Sequence, residues 1–120
     1  DEGPLPDLAL AEASPGVEDD NLTLLTSLAH AHQRAGEYEI ACSVYRRIMD
    51  SYPDTLAASN SLVTLGQIEL SALDLPAQAL DRFDAYLELA PSGALLEEAR
   101  IGRIRALSQL DRLAEVITAC

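Results

Sequence analysis

Residues 35–55 read AGEYEIACSVYRRIMDSYPDT, and this stretch decides the fold. Ala41, Tyr45 and Ile48 recur at three- and four-residue intervals, which is typical of one face of a helix. Gly36 lies where a preceding helix needs a left-handed residue to end. Pro53 ends the helix after it, because proline cannot continue a helix. We interpret the stretch as the second half of a helical hairpin and not as a site with its own chemistry.

The same pattern returns 38 residues later as Ala79, Phe83 and Pro91. A helix with a small residue at the centre of its apolar face precedes each copy, with Ala29 in the first and Gly66 in the second. One hairpin cannot bury its apolar face alone, so repeated hairpins are expected to stack into a solenoid. The predicted hairpins cover about residues 21–53, 54–91 and 92–120, with turns at Gly36, Asp74 and Asp111.

Capping residues and prolines predict where the six expected helices begin. No stretch alternates at period two, so the predicted fold class is all-α. The last helix, after Asp111, is expected to be truncated by the chain end. The predicted N-caps and first residues are Asp20 or Asn21, Asp54 or Thr55, Asp74 with Pro76 in the first turn, and Ser92.

Charge separates the first 20 residues from the rest. Residues 1–20 hold seven acidic residues and no basic one, which predicts a flexible acidic lead-in before a repeat domain over 21–120. Residues 8–13 could instead form a short docked helix. The net charge of −12 argues against nucleic acid or anionic lipid as partner, because both need a basic surface. No apolar run approaches the ~20 residues that span a bilayer.

No group of residues predicts catalysis or metal binding. His30 and His32 point about 200° apart on a helix, so they cannot chelate one ion together. Cys42 lies in an apolar pattern and is expected to be buried. Cys120 could be a free thiol. We therefore expect no enzyme, no metal, no cofactor and no small-molecule substrate.

The two copies resemble the tetratricopeptide repeat family. The matching positions are Leu25, Leu28, Ala29, Gly36, Tyr38, Ala41, Tyr45 and Pro53 in the first unit, and Leu62, Leu65, Gly66, Ala79, Phe83 and Pro91 in the second. The resemblance implies antiparallel hairpins stacked as a right-handed solenoid of about two and a half to three repeats. The 38-residue spacing exceeds the family's usual ~34 residues. It is similar to repeats of bacterial envelope proteins, such as the TolA-binding periplasmic protein.

In that family the first helix of each hairpin lines a concave groove that accepts peptides or partner helices. The resemblance therefore assigns partner contacts to the polar face of these helices. The side chains predicted to lie on this face are Thr23, Thr26, His30, Gln33, Arg34, Asn60, Val63, Gln67, Ser71, Arg100 and Arg103.

The function expected from these observations is a non-enzymatic module that binds a protein or peptide partner. We expect it to belong to a larger bacterial envelope or regulatory protein, in the periplasm or envelope if the resemblance holds, or in the cytoplasm. The alternative is a structural spacer that self-associates through its truncated last helix.

Overall fold

The computed structural model describes residues 15–119, with side chains described over 20–114. This part of the chain forms five α-helices: α1 (Pro15–Arg34), α2 (Tyr38–Ser51), α3 (Leu56–Ser71), α4 (Pro76–Leu89) and α5 (Leu96–Ala119). No strand occurs among these residues, so the predicted all-α class is confirmed. Each helix packs against the next in chain order, and α3 also packs against α5.

The helix boundaries repeat with the spacing that the sequence predicts. Both α2 and α4 have 14 residues, and their first residues, Tyr38 and Pro76, lie 38 positions apart. The residues with positive φ have the same spacing, since Gly36 has φ 81° and Asp74 has φ 57°. The peptide N–H of Glu37 closes the first turn by donating to the carbonyl oxygen of His32 at 2.9 Å. Both turns thus reverse the chain through one left-handed residue.

Three predicted boundaries are wrong. The first helix starts at Pro15, so residues 15–20 of the expected lead-in are helical, and α5 starts at Leu96 instead of Ser92. Asp74 lies before α4 and does not open it, because Leu75 holds the N-cap position. Thr55 is the cap of α3, and its hydroxyl oxygen accepts the Ala58 N–H at 3.1 Å. The expectations for residues 8–13 and Cys120 lie outside the described residues.

The turn predicted at Asp111 is also wrong, because α5 continues through it to Ala119. The third unit is therefore one long helix over the described residues, and not a hairpin. The neighbouring residues distinguish Asp74 from Asp111. Pro76 comes two residues after Asp74 and cannot donate to a helix that continues through it, whereas no proline comes after Asp111.

The core has two parts, each built around one aromatic side chain of the repeated pattern. Tyr45 is 2% exposed and Phe83 is fully buried. Around Tyr45 lie Ala29, Ala41, Cys42, Ile48, Ala58, Leu65 and Ile68, and around Phe83 lie Val63, Leu70, Ala79, Tyr86, Ala99 and Ala106. The predicted burial of Cys42 is confirmed. Burial, and secondarily the charge of Glu69, raises the pKa of its thiol.

One ion pair is buried between α3 and α4. The Glu69 side chain is 1% exposed, and both of its oxygens accept hydrogen bonds of 3.2 Å from the Arg82 guanidinium. This two-point contact supplies the partners that a buried carboxylate needs. It holds the two helices of the second hairpin together, so it belongs to the scaffold that carries the site.

Candidate functional site

A trough with polar and apolar lining crosses α1, α3 and α5. It consists of two adjoining cavities of about 600 and 370 Å³ that share Gln67 and Ser71. Because both side chains are exposed and lie on α3, they form the middle of the trough. The other lining residues are Gln33, Arg34, Tyr38, Ile68 and Ala72 on the α1 side, and Leu70, Glu98, Ile101, Gly102 and Arg105 on the α5 side.

Two arginines define the ends of the trough. Arg34 is the last residue of α1, and Arg105 lies within α5. Both are exposed, and within the part of the chain that the structure describes neither forms an ion pair. Glu98 is the one carboxylate in the lining. Neither guanidinium group has an ion-pair partner among the described residues, so each can bind a carboxylate or another anionic group.

A separate cavity of about 300 Å³ lies between α1 and α3. We call it the Asn60 cavity. Its lining comprises Thr26, His30, Tyr45, Leu56, Ala57, Asn60, Ser61 and Thr64. Two predicted contact residues from α1 and one from α3 therefore meet here, while Gln33, Arg34 and Gln67 lie in the trough. The predicted groove face is thus divided between two depressions.

Tyr45 connects the Asn60 cavity to the trough. Its ring lines the cavity, and its hydroxyl donates to Oε1 of Gln33 at 2.7 Å. The His30 ring lies beside it, with 6.1 Å between the ring centroids and a tilt of 54°. Burial raises the pKa of Tyr45 to about 12, and the nearby Arg34 charge opposes this shift. The hydroxyl therefore stays protonated and keeps donating at neutral pH.

Three residues assigned to the groove by the sequence lie elsewhere. Val63 is 1% exposed and packs in the Phe83 part of the core, so it offers no contact surface. Arg103 donates from Nε to Oδ1 of Asp84 on α4 at 2.7 Å. Arg100 is exposed but lines neither of the two cavities of the trough. The guanidinium group on the α5 side of the trough belongs instead to Arg105.

Sequence reasoning missed Arg105, although a signal for it was present. Glu98, Ile101 and Arg105 follow the three- and four-residue spacing of one helix face, and Gly102 lies on that face. A glycine inside a helical pattern usually has a packing reason, so Gly102 indicates a close approach of another helix. In the structure Gly102 lies against the Phe83 ring of α4 and borders the trough beside α3, and Arg105 lies on the same face.

The described residues contain no group of three or more His, Cys, Asp or Glu side chains that could hold a metal ion. His32 is engaged instead by Glu37, with 2.7 Å between Nδ1 and Oε1. No helix among the described residues is both long enough and apolar enough to cross a membrane.

No protein-family model matches the chain, and a search of curated proteins found no matching sequence.

Proposed function

We propose that this chain is a non-enzymatic interaction module of the tetratricopeptide-repeat type, which binds an extended segment of a partner protein in the trough. The observation that carries the proposal is the pair of adjoining cavities with shared Gln67 and Ser71 and an unpaired arginine at each end. A pocket for a small substrate would be enclosed, whereas this depression runs across three helices.

The repeat supports the family assignment. Ala41 and Ala79 are fully buried, and the aromatic residues four positions later fill the two parts of the core. The helices and their turns recur with the same 38-residue spacing as the sequence pattern. A right-handed stacking of these units would place α1, α3 and α5 on the inner side, where the trough lies.

The chemistry of the trough suggests the kind of segment that it binds. Gln67 and Ser71 can donate to and accept from a peptide backbone, and the guanidinium groups of Arg34 and Arg105 suit carboxylates. Packed helices lie roughly 8–10 Å apart, and α1 does not pack directly on α3 among the described residues, so the path from α1 to α5 spans at least about 18 Å. An extended chain advances about 3.3 Å per residue. We therefore expect a partner with two acidic residues at least about five or six positions apart.

Selection from a random 12-residue peptide library displayed on phage, with the whole chain as bait, tests this proposal. The expected result is enrichment of peptides with two acidic residues at that spacing. For a selected synthetic peptide, Arg34→Glu and Arg105→Glu should each weaken binding by about tenfold or more, because an attractive charge pair becomes repulsive.

Arg47→Glu is the matched control. It makes the same charge change at an exposed residue of α2 that lines no part of the trough. Equal losses in all three variants would show that net charge alone governs the interaction. That result, or the absence of any enriched peptide, would contradict the proposal.

A further inference from the structure

The Asn60 cavity differs from the trough in what its walls can bond. Thr26, Ser61 and Thr64 contribute hydroxyl groups to it, and each hydroxyl donates to a carbonyl oxygen one turn earlier in its own helix. The Tyr45 hydroxyl donates to Gln33. All four hydroxyl hydrogens are therefore in use, and the oxygen atoms remain as acceptors.

Asn60 adds an acceptor without a partner. Its Oδ1 is buried and makes no hydrogen bond, and no other buried side-chain oxygen or nitrogen in the described part of the chain lacks a partner. Burying an amide oxygen without a donor is unfavourable, so stability of the free fold does not explain an asparagine at this position. Oδ1 is buried in the free protein, and because the terminal torsion of asparagine is soft, a rotation of the amide group can turn Oδ1 toward the cavity.

Charge narrows the class of ligand. No Asp or Glu lines the cavity, so a cation placed there would lack a counter-ion. The positive charge of Arg34 also acts on the Tyr45 hydroxyl. An anion would face the hydroxyl and amide oxygens. An uncharged group with more than one N–H therefore fits best.

His30 supplies the complementary donor. Its ring lines the cavity, and a neutral imidazole carries one N–H. We propose that the Asn60 cavity binds the primary carboxamide of a glutamine or asparagine side chain from the partner segment. After rotation of Asn60, the NH₂ group of the bound carboxamide donates to Oδ1 of Asn60 and to a hydroxyl oxygen of the cavity wall. The carbonyl oxygen of the carboxamide accepts a hydrogen bond from His30. This inference rests on the proposed function, because the segment in the trough presents the side chain.

The cavity can be tested without a partner. The probes are N-acetyl-glutamine N-methylamide and the matching glutamate, lysine and methionine derivatives, each titrated into the whole ¹⁵N-labelled chain. We expect saturable shifts of the Asn60 side-chain amide and the Ser61 backbone amide with the glutamine probe. The other three should bind about tenfold more weakly or not at all, since each lacks the donor or adds a charge.

Two variants test whether Asn60 binds the ligand or stabilises the fold. Asn60→Leu should abolish the glutamine response and raise Tm, because it removes the buried unpaired oxygen with little change of volume. Gln78→Leu is the control, since it changes an exposed amide on α4 that lines neither the Asn60 cavity nor the trough, and it should leave the response unaltered. A lower Tm for Asn60→Leu would overturn the inference, because Asn60 would then be part of the scaffold. Equal binding of all four probes, or no saturable shift, would overturn it as well.

The two proposals fail in different ways. Selected peptides that bind through Arg34 and Arg105 but tolerate Asn60→Leu would contradict the carboxamide site and leave the trough proposal standing. A glutamine probe that binds the cavity, together with no selected peptide, would contradict the trough proposal.

Discussion

The surroundings of Tyr45 and Phe83 differ, although the two side chains occupy equivalent positions of the repeat. Phe83 lies between Gly66 of α3 and Gly102 of α5. A Cβ on Gly66 would come within 2.9 Å of the ring, and a Cβ on Gly102 would overlap it. Tyr45 instead has Ala29 in its part of the core, and the Asn60 cavity lies beside it.

The helix contacts reflect this difference. The two glycines let α3 and α5 approach across Phe83, and these helices pack directly on each other. No comparable contact joins α1 and α3 among the described residues. The space between α1 and α3 remains as a cavity whose walls include hydroxyl and amide groups. The interface around Phe83 is therefore closely packed, whereas the one around Tyr45 leaves a depression.

The largest expected effect is the loss of either aromatic ring. Phe83→Ala should lower the free energy of unfolding by about 4 kcal/mol, because it empties a tightly enclosed site. Tyr45→Ala should lower it by about 3 kcal/mol, since its ring already borders a cavity and its hydroxyl bonds a partly exposed glutamine. Urea denaturation followed by circular dichroism measures both values. A larger loss of stability for Tyr45→Ala than for Phe83→Ala would contradict the tighter packing around Phe83.

Gly102→Ala probes the close approach directly. The added methyl group overlaps the Phe83 ring. Overpacking of this kind costs about 1–3 kcal/mol, against a gain of about 1 kcal/mol in helix propensity. We expect a net destabilisation of about 1 kcal/mol in the same denaturation assay.

The same Gly102→Ala substitution is also measured in a protein that carries Phe83→Leu. A smaller side chain leaves room for the methyl group, so Gly102→Ala should cost less there than in the natural sequence. A stabilising Gly102→Ala in the natural sequence would show that α3 and α5 do not meet as closely as described.

Tyr45→Phe gives the smallest effect at neutral pH, about 1 kcal/mol for the lost hydrogen bond to Gln33. The pKa of Tyr45 is about 12 in the fold, above the ordinary value of 10.0. The unfolded chain therefore loses this proton first as pH rises, and the stability of the natural protein falls between about pH 10 and pH 12. Tyr45→Phe does not share that fall.

Thermal unfolding of both proteins from pH 7 to pH 11 tests the sign. The advantage of the natural protein should shrink as pH rises above about 10. The chain has no lysine, so lysine titration does not obscure the result. Tyr38→Phe, which changes a tyrosine that is 37% exposed, is the control. If the stability of the natural protein relative to Tyr45→Phe instead grew with pH, the hydroxyl of Tyr45 would not be buried as described.

Local patterns were sufficient for most of the fold. The spacing of Ala41, Tyr45 and Ile48 identified α2 and its buried face, and the recurrence at Ala79 and Phe83 identified α4. Such predictions succeed because the period of a helix and the backbone limits of proline are properties of a few neighbouring residues. The prediction of a turn at Asp111 failed because an aspartate can lie inside a helix as well as at its end.

The candidate site was less predictable from local patterns. Of the residues predicted to lie on the groove face, Gln33, Arg34 and Gln67 line the trough, whereas Val63 is buried in the core. Whether an arginine of α5 meets α3 or pairs with Asp84 on α4 depends on the rotation of α5 about its axis. Gly102 marks the closely packed face in the sequence, but its contact with Phe83, which fixes the rotation, is a tertiary contact.

The sequence by itself determined the helical class, the 38-residue repeat and the aromatic residue at the centre of each unit, because these depend on spacing along the chain. Only the tertiary structure decided that Arg105 completes the trough, and that a cavity lies beside Tyr45 while the surroundings of Phe83 are tightly packed. These features depend on distances between helices. Those distances are set by whether a methyl group or a hydrogen atom lies at the contact between two helices.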